Sequence, residues 1–315
     1  MRQLMPGREA GLVATILVIA TLIALARPGF LRASNLVSIA TGMVYDLPLA
    51  AGATLVLVVG GIDLSLGAVL ALSSVMTALA LRAGWPIPLG ILAGLALSAG
   101  VGALNGLLVA RFRLAPFIVT LGTMSLARGT AVVLTSGYMV AGLPPEFLAL
   151  GRGSRLGVPV SIWIVAALLA GGHLLLRRWR PLHDAFYVGQ NREAARLSGL
   201  PADALTAAAY VVSALLAGVA ALFMTSRLGM GYARFGELAE LRAIAAAVLG
   251  GAAFSGGGGS ILGSALGVLL LAVILNGFVL LNLSIYWQNV ATGAVLVFAI
   301  AVDAARRRYG AGQRA

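Results

Sequence analysis

"VVGGIDLSLG", residues 58–67, places one acid, Asp63, behind two glycines and ahead of a serine. From Leu47 to Leu81 no other residue is charged. A carboxylate at the centre of a membrane-spanning helix costs roughly 2.5–3.5 kcal/mol on insertion scales. Asp63 avoids most of that if one helix ends at Gly60 and Gly61 and another starts near Leu64. Asp63 or Ser65 can then cap the free amides at the positive end of the second helix. A direct place in a translocation path is the other reading. Either way, the stretch reads as a flexible diglycine joint between two apolar helices.

Working outward, the whole chain has this character. Of its 315 residues, 60% are hydrophobic and 10% charged, with a mean hydropathy of +1.01. Soluble domains are about a quarter charged, so this composition calls for a bilayer. Runs of about 20 apolar residues recur, the signal of spanning helices. Ten spans are expected, at 11–26, 35–60, 66–81, 88–110, 117–137, 159–176, 204–226, 241–254, 260–281 and 286–303. The shortest, 241–254, has the length of a half-helix. No polar stretch is long enough for a soluble domain, so residues 1–315 read as one all-α polytopic membrane domain. Trp85, Trp163, Trp179 and Trp287 all fall near span ends, as in an aromatic belt.

Composition also excludes functions. With no cysteine there are no disulfides, thiolate metal sites or thiol nucleophiles. All 22 basic residues are Arg, and a Walker-type phosphate loop needs a Lys. If ATP drives this chain, another subunit binds it. His173 and His183 are the only histidines, and no metal-binding or catalytic spacing surrounds them. An enzyme is therefore not expected, and this chain is expected to bind no metal or cofactor. The net charge of +12 could suggest nucleic acid, but the arginines occupy short connectors and read as topology signals and anionic-lipid contacts. With both termini inside, cytoplasmic segments hold 13 Arg (2, 8, 111, 113, 177, 178, 180, 192, 196, 306, 307, 308 and 314). External connectors hold eight (27, 32, 82, 152, 155, 227, 234 and 242), and Arg128 lies within a span. The first run, Gly11–Ala26, is read as an uncleaved span, because Arg27-Pro28 follows in place of a small-residue cleavage site.

Two spans carry small-residue ladders, Gly90, Gly94, Ser98, Gly102 and Gly106 in one, and Gly259, Gly263 and Gly267 in the other. Four-residue spacing keeps each set on one helical face, where a neighbouring backbone can approach closely. The run 256–259 reads as a hinge or tight turn. A faint internal echo joins "VVGG" (58–61) to "VLGG" (248–251), and "LNG" recurs at 104–106 and 275–277. Asp46, beside Tyr45 and ahead of Pro48, sits at an expected kink, paired with a polar neighbour or lining a path. Asn105, Asn276, Gln288 and Asn289 are further candidates for the translocation path, or for interhelical hydrogen bonds.

The longest internal polar stretch, 177–203, contains a short helix-compatible piece, Asn191–Leu197, with Gly199 at a C-cap position and Pro201 beyond. A short helix held between spans suits docking into a partner's groove. Glu193, Ala194, Ala195 and Arg196 form that piece. The two alanines are expected to offer a smooth face, and Glu193 and Arg196 a pair three residues apart.

Four stretches together resemble the permease subunits of ribose-type sugar ABC importers. They are "GGIDLSLGAVLALSS" (60–74), "NGLLVARFRLAPFIVTLGTMSLARGTAVVLTSG" (105–137), "VGQNREAARLSGL" (188–200) and "AIAAAVLGGAAFSGGGGSILGSALG" (243–267). The resemblance implies a type II (vitamin-B12-permease-like) membrane fold and a dimer of identical or paralogous permeases. It also implies two cytoplasmic ATPase domains, carrying ATP and Mg, and a periplasmic sugar-binding protein. Glu193, Ala194, Ala195 and Gly199 match the "EAA…G" loop that contacts the ATPase, and Gly60, Gly61, Asp63 and Ser65 match a GGIDLS signature. Asp46, Pro48 and "FSGGGG" depart from the family pattern. The implied function is import of a pentose or a similar furanose, such as an autoinducer-type sugar, across the inner membrane. A self-sufficient proton-coupled carrier using Asp46 or Asp63 is the rival.

Overall fold

The computed structural model describes residues 6–312, with side chains over residues 9–301 except at 177, 181, 285, 299 and 300. Of the arginines in the topology argument, Arg2 and Arg314 and the side chains of Arg8, Arg177, Arg306, Arg307 and Arg308 lie outside the described parts.

Ten helices stand where ten spans are expected: α1 (Pro6–Ala26), α2 (Ala33–Val58), α3 (Leu66–Arg82), α4 (Ile87–Ala110), α5 (Pro116–Thr135), α7 (Val160–Arg178), α10 (Ala202–Leu228), α11 (Ala239–Leu249), α12 (Ile261–Leu280) and α13 (Ile285–Gly312). Among the described residues, α1, α2, α4, α5, α10 and α12 are long and apolar enough to cross a membrane. α3 and α7 are shorter apolar helices. α11, with 11 residues, extends roughly 16 Å, about half a hydrocarbon core. Three short helices lie between: α6 (Pro145–Arg152), α8 (Arg180–Gln190) and α9 (Arg192–Leu197). Two-residue strands β1 (Val140–Ala141) and β4 (Met230–Gly231) pair antiparallel, as do β2 (Ser154–Arg155) and β3 (Val158–Pro159).

α2, α3, α10 and α11 share the core, where Leu49, Leu57, Leu66 and Leu70 meet Ala214, Ala217, Ala221, Ala243 and Ala247. Alanine at these contacts lets helices approach closely, which is how spanning helices gain packing energy where lipid removes the hydrophobic drive between them. The periphery is the reverse: Leu17, Leu22, Ile118, Val133, Val297 and Phe298 are exposed apolar side chains, as a bilayer allows. All four tryptophans sit at helix ends, each about half exposed.

The ladder in α4 is buried between two helices. A Cβ on Gly90 or Gly94 would strike α3, at Leu81 and at Ser73 and Thr77. Gly102 and Gly106 lie against Val211 and Ala207 of α10, and Ser98 lies against Gly218. In α12, Gly263 and Gly267 face Gly250 and Ala246 of α11, while Gly259, before the helix, faces Thr54 and Val58 of α2. The "VVGG" and "VLGG" echo is one helix ending used twice. Gly60 (φ +81°) and Gly251 (φ +113°) close α2 and α11 with the same bonds, Gly60 N–H to Leu57 and Gly61 N–H to Val56 matching Gly251 N–H to Val248 and Ala252 N–H to Ala247.

Two expectations need correcting. The joint at 60–61 is a locked turn: Gly60 takes a left-handed conformation, and Gly61 is packed against Val56 and the Tyr210 ring. Arg242 is no connector residue; it lies in α11 and pairs with Asp46 of α2 at 3.3 Å. Arg234 lies on the segment that packs along α3 through Gly231 and Gly236. The expected bend at Pro48 falls inside α2, which is continuous from Ala33 to Val58.

Candidate functional site

The residues around Asp63 form a buried polar knot between α2 and α3. Asp63 is 2% exposed. Its Oδ1 accepts from the Ser65 amide at 2.9 Å and the Ser65 hydroxyl at 2.6 Å, and its Oδ2 accepts from Ser213 of α10 at 3.3 Å. This is a local turn bond, not a helix cap: Ser65 holds the N-cap position of α3 and makes no side-chain capping bond. Asn105 of α4 donates from Nδ2 to the Ser65 hydroxyl at 3.0 Å, and its Oδ1 is buried without a partner. Tyr210 of α10 and Thr120 of α5 donate to the Ile62 carbonyl at 3.2 and 3.4 Å. The seven residues between the two helices are thus tied to α4, α5 and α10, which satisfies backbone that lipid cannot.

Beneath the knot sits the polar connector. α9 begins at Asn191, whose Oδ1 accepts from the Ala194 amide at 3.0 Å. It ends at Gly199 (φ +82°), with Gly199 N–H bonded to Arg196 and Leu200 N–H to Ala195. Arg192 ties it to the frame, donating 2.9 Å bonds to the Ala110 carbonyl of α4 and to Asp203 of α10. Glu193, Ala194, Arg196 and Leu197 are exposed; Leu197 is 84% exposed. Ala195 turns inward against Val188 and Ala202, so the smooth docking face expected of two alanines is reduced to Ala194. No Glu193–Arg196 ion pair forms among the described residues; the ionic partner is Arg192–Asp203.

α8 was not expected. Its Gly189 touches the end of α2 so closely that a Cβ would overlap the Val58 carbonyl oxygen and come within 2.6 Å of the Gly257 amide. Gly257 N–H donates to that same carbonyl at 2.9 Å, and a Cβ on Gly256 would stand 2.9 Å from the Gly60 Cα. The glycine run is therefore a tight turn wedged between α2 and α8. Connector, glycine turn and knot form one continuous contact. A cavity of about 400 Å³ opens beside it, with Gly60, Arg113, Arg192, Glu193 and Arg196 on its walls.

The remaining candidates lie elsewhere. Asn276 of α12 and Asn35 of α2 exchange amide hydrogen bonds at 2.9 and 3.0 Å, a part-buried interhelical clasp. Gln288 and Asn289 sit in the first turns of α13, the former accepting from the Thr292 hydroxyl through its backbone carbonyl and the latter exposed. Ser213, Tyr210, Thr120 and Gly189 were not singled out from sequence. Ser213 and Tyr210 are ordinary apolar-helix residues with no local signal, whereas Thr120 and Gly189 lie within the quoted stretches 105–137 and 188–200.

The family model for the branched-chain amino acid transport system / permease component matches residues 35–300. Ribose import permease protein RbsC of Bacillus subtilis is 36% identical over 290 residues, covering 91% of this chain and 90% of that protein. L-arabinose ABC transporter permease protein AraH of Azospirillum brasilense is 33% identical, covering 95% and 88%. Autoinducer 2 import system permease protein LsrC of an Enterobacter species is 32% identical, covering 98% and 90%. No solved structure matches.

Proposed function

The chain belongs to the family of permease components of the branched-chain amino acid transport system type, and from that premise we propose that it is the membrane subunit of an ATP-driven importer of a pentose or related furanose. Relatives named for ribose, L-arabinose and autoinducer 2 import support that substrate class. The observation that carries the reading is the seating of α8 on the end of α2 through Gly189, Val58 and Gly60, with α9 held beside it by Arg192 on α4 and α10.

In this account a separate ATPase subunit, holding ATP and Mg, docks on the exposed side of α9 at Glu193, Ala194, Arg196 and Leu197. Its movement passes through α8 to the end of α2 and shifts the knot against α10. The chain itself carries out no catalysis. A periplasmic binding protein delivers the sugar, and a second permease copy or paralogue completes the passage. Both termini face the cytoplasm, together with α8 and α9. A self-sufficient proton-coupled carrier has less support, because Asp46 is engaged by Arg242 and Asp63 by three donors.

The test is uptake of radiolabelled D-ribose, L-arabinose and autoinducer 2 by proteoliposomes holding the permease, its ATPase and its binding protein. Uptake that requires internal ATP supports the reading. Uptake by the permease alone, driven by a proton gradient, contradicts it.

A further inference from the structure

The segment 229–238, between α10 and α11, carries an ion pair at an unusual depth. Its strand β4 pairs with β1 and packs on the C-terminal half of α3. Gly231 lies against Ser74 and Ala78, and five residues later Gly236 lies against Gly67, the second residue of α3. Fifteen residues separate Gly67 from Arg82, roughly 22 Å along the helix and most of a hydrocarbon core of about 30 Å. Gly67 has no room for a Cβ, because the Gly236 carbonyl and the Glu240 carboxylate press on it. Arg128 of α5 holds the segment down with 2.7 Å bonds to the Ala233 and Phe235 carbonyls.

At that depth Arg234 and Glu237 form a two-point pair, at 2.7 and 3.2 Å, with side chains 65% and 49% exposed. The Tyr232 and Phe235 rings stand edge to face at 5.8 Å beside them. Exposed charge within a membrane protein faces a water-filled cavity or protein, not lipid tails, and irregular backbone at such depth lines a cavity. On α5, Ser125 and Gly129 are exposed one turn before and one residue after Arg128, leaving space alongside.

We propose that this inward-folded segment lines the aqueous route of the permeant, with the Arg234–Glu237 pair and the Tyr232 ring as the groups that contact a polyol. A guanidinium and a carboxylate side by side offer donors and acceptors to neighbouring hydroxyls, and the ring offers a face to the C–H side of a sugar. The inference rests on the sugar-permease reading above.

The chain has no cysteine, so single-thiol variants have no background. Arg234→Cys and Glu237→Cys, with Tyr232→Cys as a third position should either fail to assemble, are reconstituted with the ATPase and binding protein. They are treated with a membrane-impermeant sulfonate methanethiosulfonate. Leu17→Cys, at an exposed apolar site of α1, is the lipid-facing control. The expected result is reaction at least tenfold faster than at Leu17→Cys, slowed severalfold by D-ribose in vesicles whose wild-type counterparts take up D-ribose. A rate no faster than the control, or one that D-ribose leaves unchanged in such vesicles, overturns the inference and leaves the importer reading standing. Failure of the importer reading shows separately, as wild-type uptake that does not depend on ATP.

Discussion

Gly189, one residue from the end of α8, presses its Cα against the carbonyl of Val58, the last residue of α2, with no space for a Cβ between them. The same carbonyl accepts the Gly257 amide. A polar connector thereby touches the backbone of a core helix without an intervening side chain, so displacement of one displaces the other. Interfaces packed this tightly shift as units.

Gly189 and Gly199 should respond differently to the same substitution. Gly189→Ala puts a methyl into the Val58 carbonyl and should cut ATP-driven uptake at least tenfold while the ATPase still copurifies. Gly199 has open space around it but a φ of +82°, so Gly199→Ala costs only about 1 kcal/mol and should leave most uptake intact. Parallel uptake and copurification measurements check this; equal loss in both variants would contradict it.

Asp63 is held as an acceptor of three donors, so Asp63→Asn keeps an acceptor oxygen for the Ser65 amide and an amide able to meet Ser213. It should fold and transport. Asp63→Leu strands those donors in a buried site, at about 1–3 kcal/mol for each unsatisfied group, and should lower the melting temperature and the yield. A folded, inactive Asp63→Asn would favour proton coupling.

The α4 ladder supplies an internal comparison. Gly94 meets Ser73 and Thr77, while Gly100 on the same helix has open space. Gly94→Leu should destabilise by about 1–3 kcal/mol through overpacking, and Gly100→Leu should be nearly neutral. Thermal unfolding in detergent of both variants decides it.

Asn35 and Asn276 clasp α2 to α12. Asn276→Leu leaves the Asn35 amide with its bond to the Phe30 carbonyl alone and should cost about 0.6–1.7 kcal/mol. Asn35→Leu with Asn276→Leu should recover part of it, and uptake should persist in both. Lost uptake with unchanged stability would instead return Asn276 to the translocation path.

Helix positions were legible because hydropathy, Pro and Gly mark them locally. Gly60 and Gly199 stand where helices end because left-handed backbone favours glycine, and that requirement is written in the residue itself. α8 was hidden by its polarity: Arg180, His183 and Asp184 look like a solvated connector. The 229–238 segment reads as an external connector because it lies between two apolar runs and carries Arg234, whereas its packing along α3 joins residues far apart in sequence. Bonds such as Asp63–Ser213 and Asn35–Asn276 join residues 150 and 241 positions apart. No periodicity carries that information. Ala195 was assigned to the docking surface because two adjacent alanines look alike, although a helix points them about 100° apart.

The central claim, that α9 is where an ATPase grips this chain, is tested most directly at Leu197, a side chain of that helix that is 84% exposed. Leu197→Cys in the otherwise thiol-free chain, joined to a short bifunctional thiol-to-amine linker in native membranes containing the whole importer, should crosslink to the ATPase subunit. The yield should change between ATP-bound and nucleotide-free states. Leu156→Cys, 91% exposed in the β2–β3 turn that precedes α7, at the other end of that helix from α8 and α9, should give no such product. Crosslinking to the ATPase from Leu156→Cys, or none from Leu197→Cys in membranes that sustain ATP-driven uptake, would contradict the account.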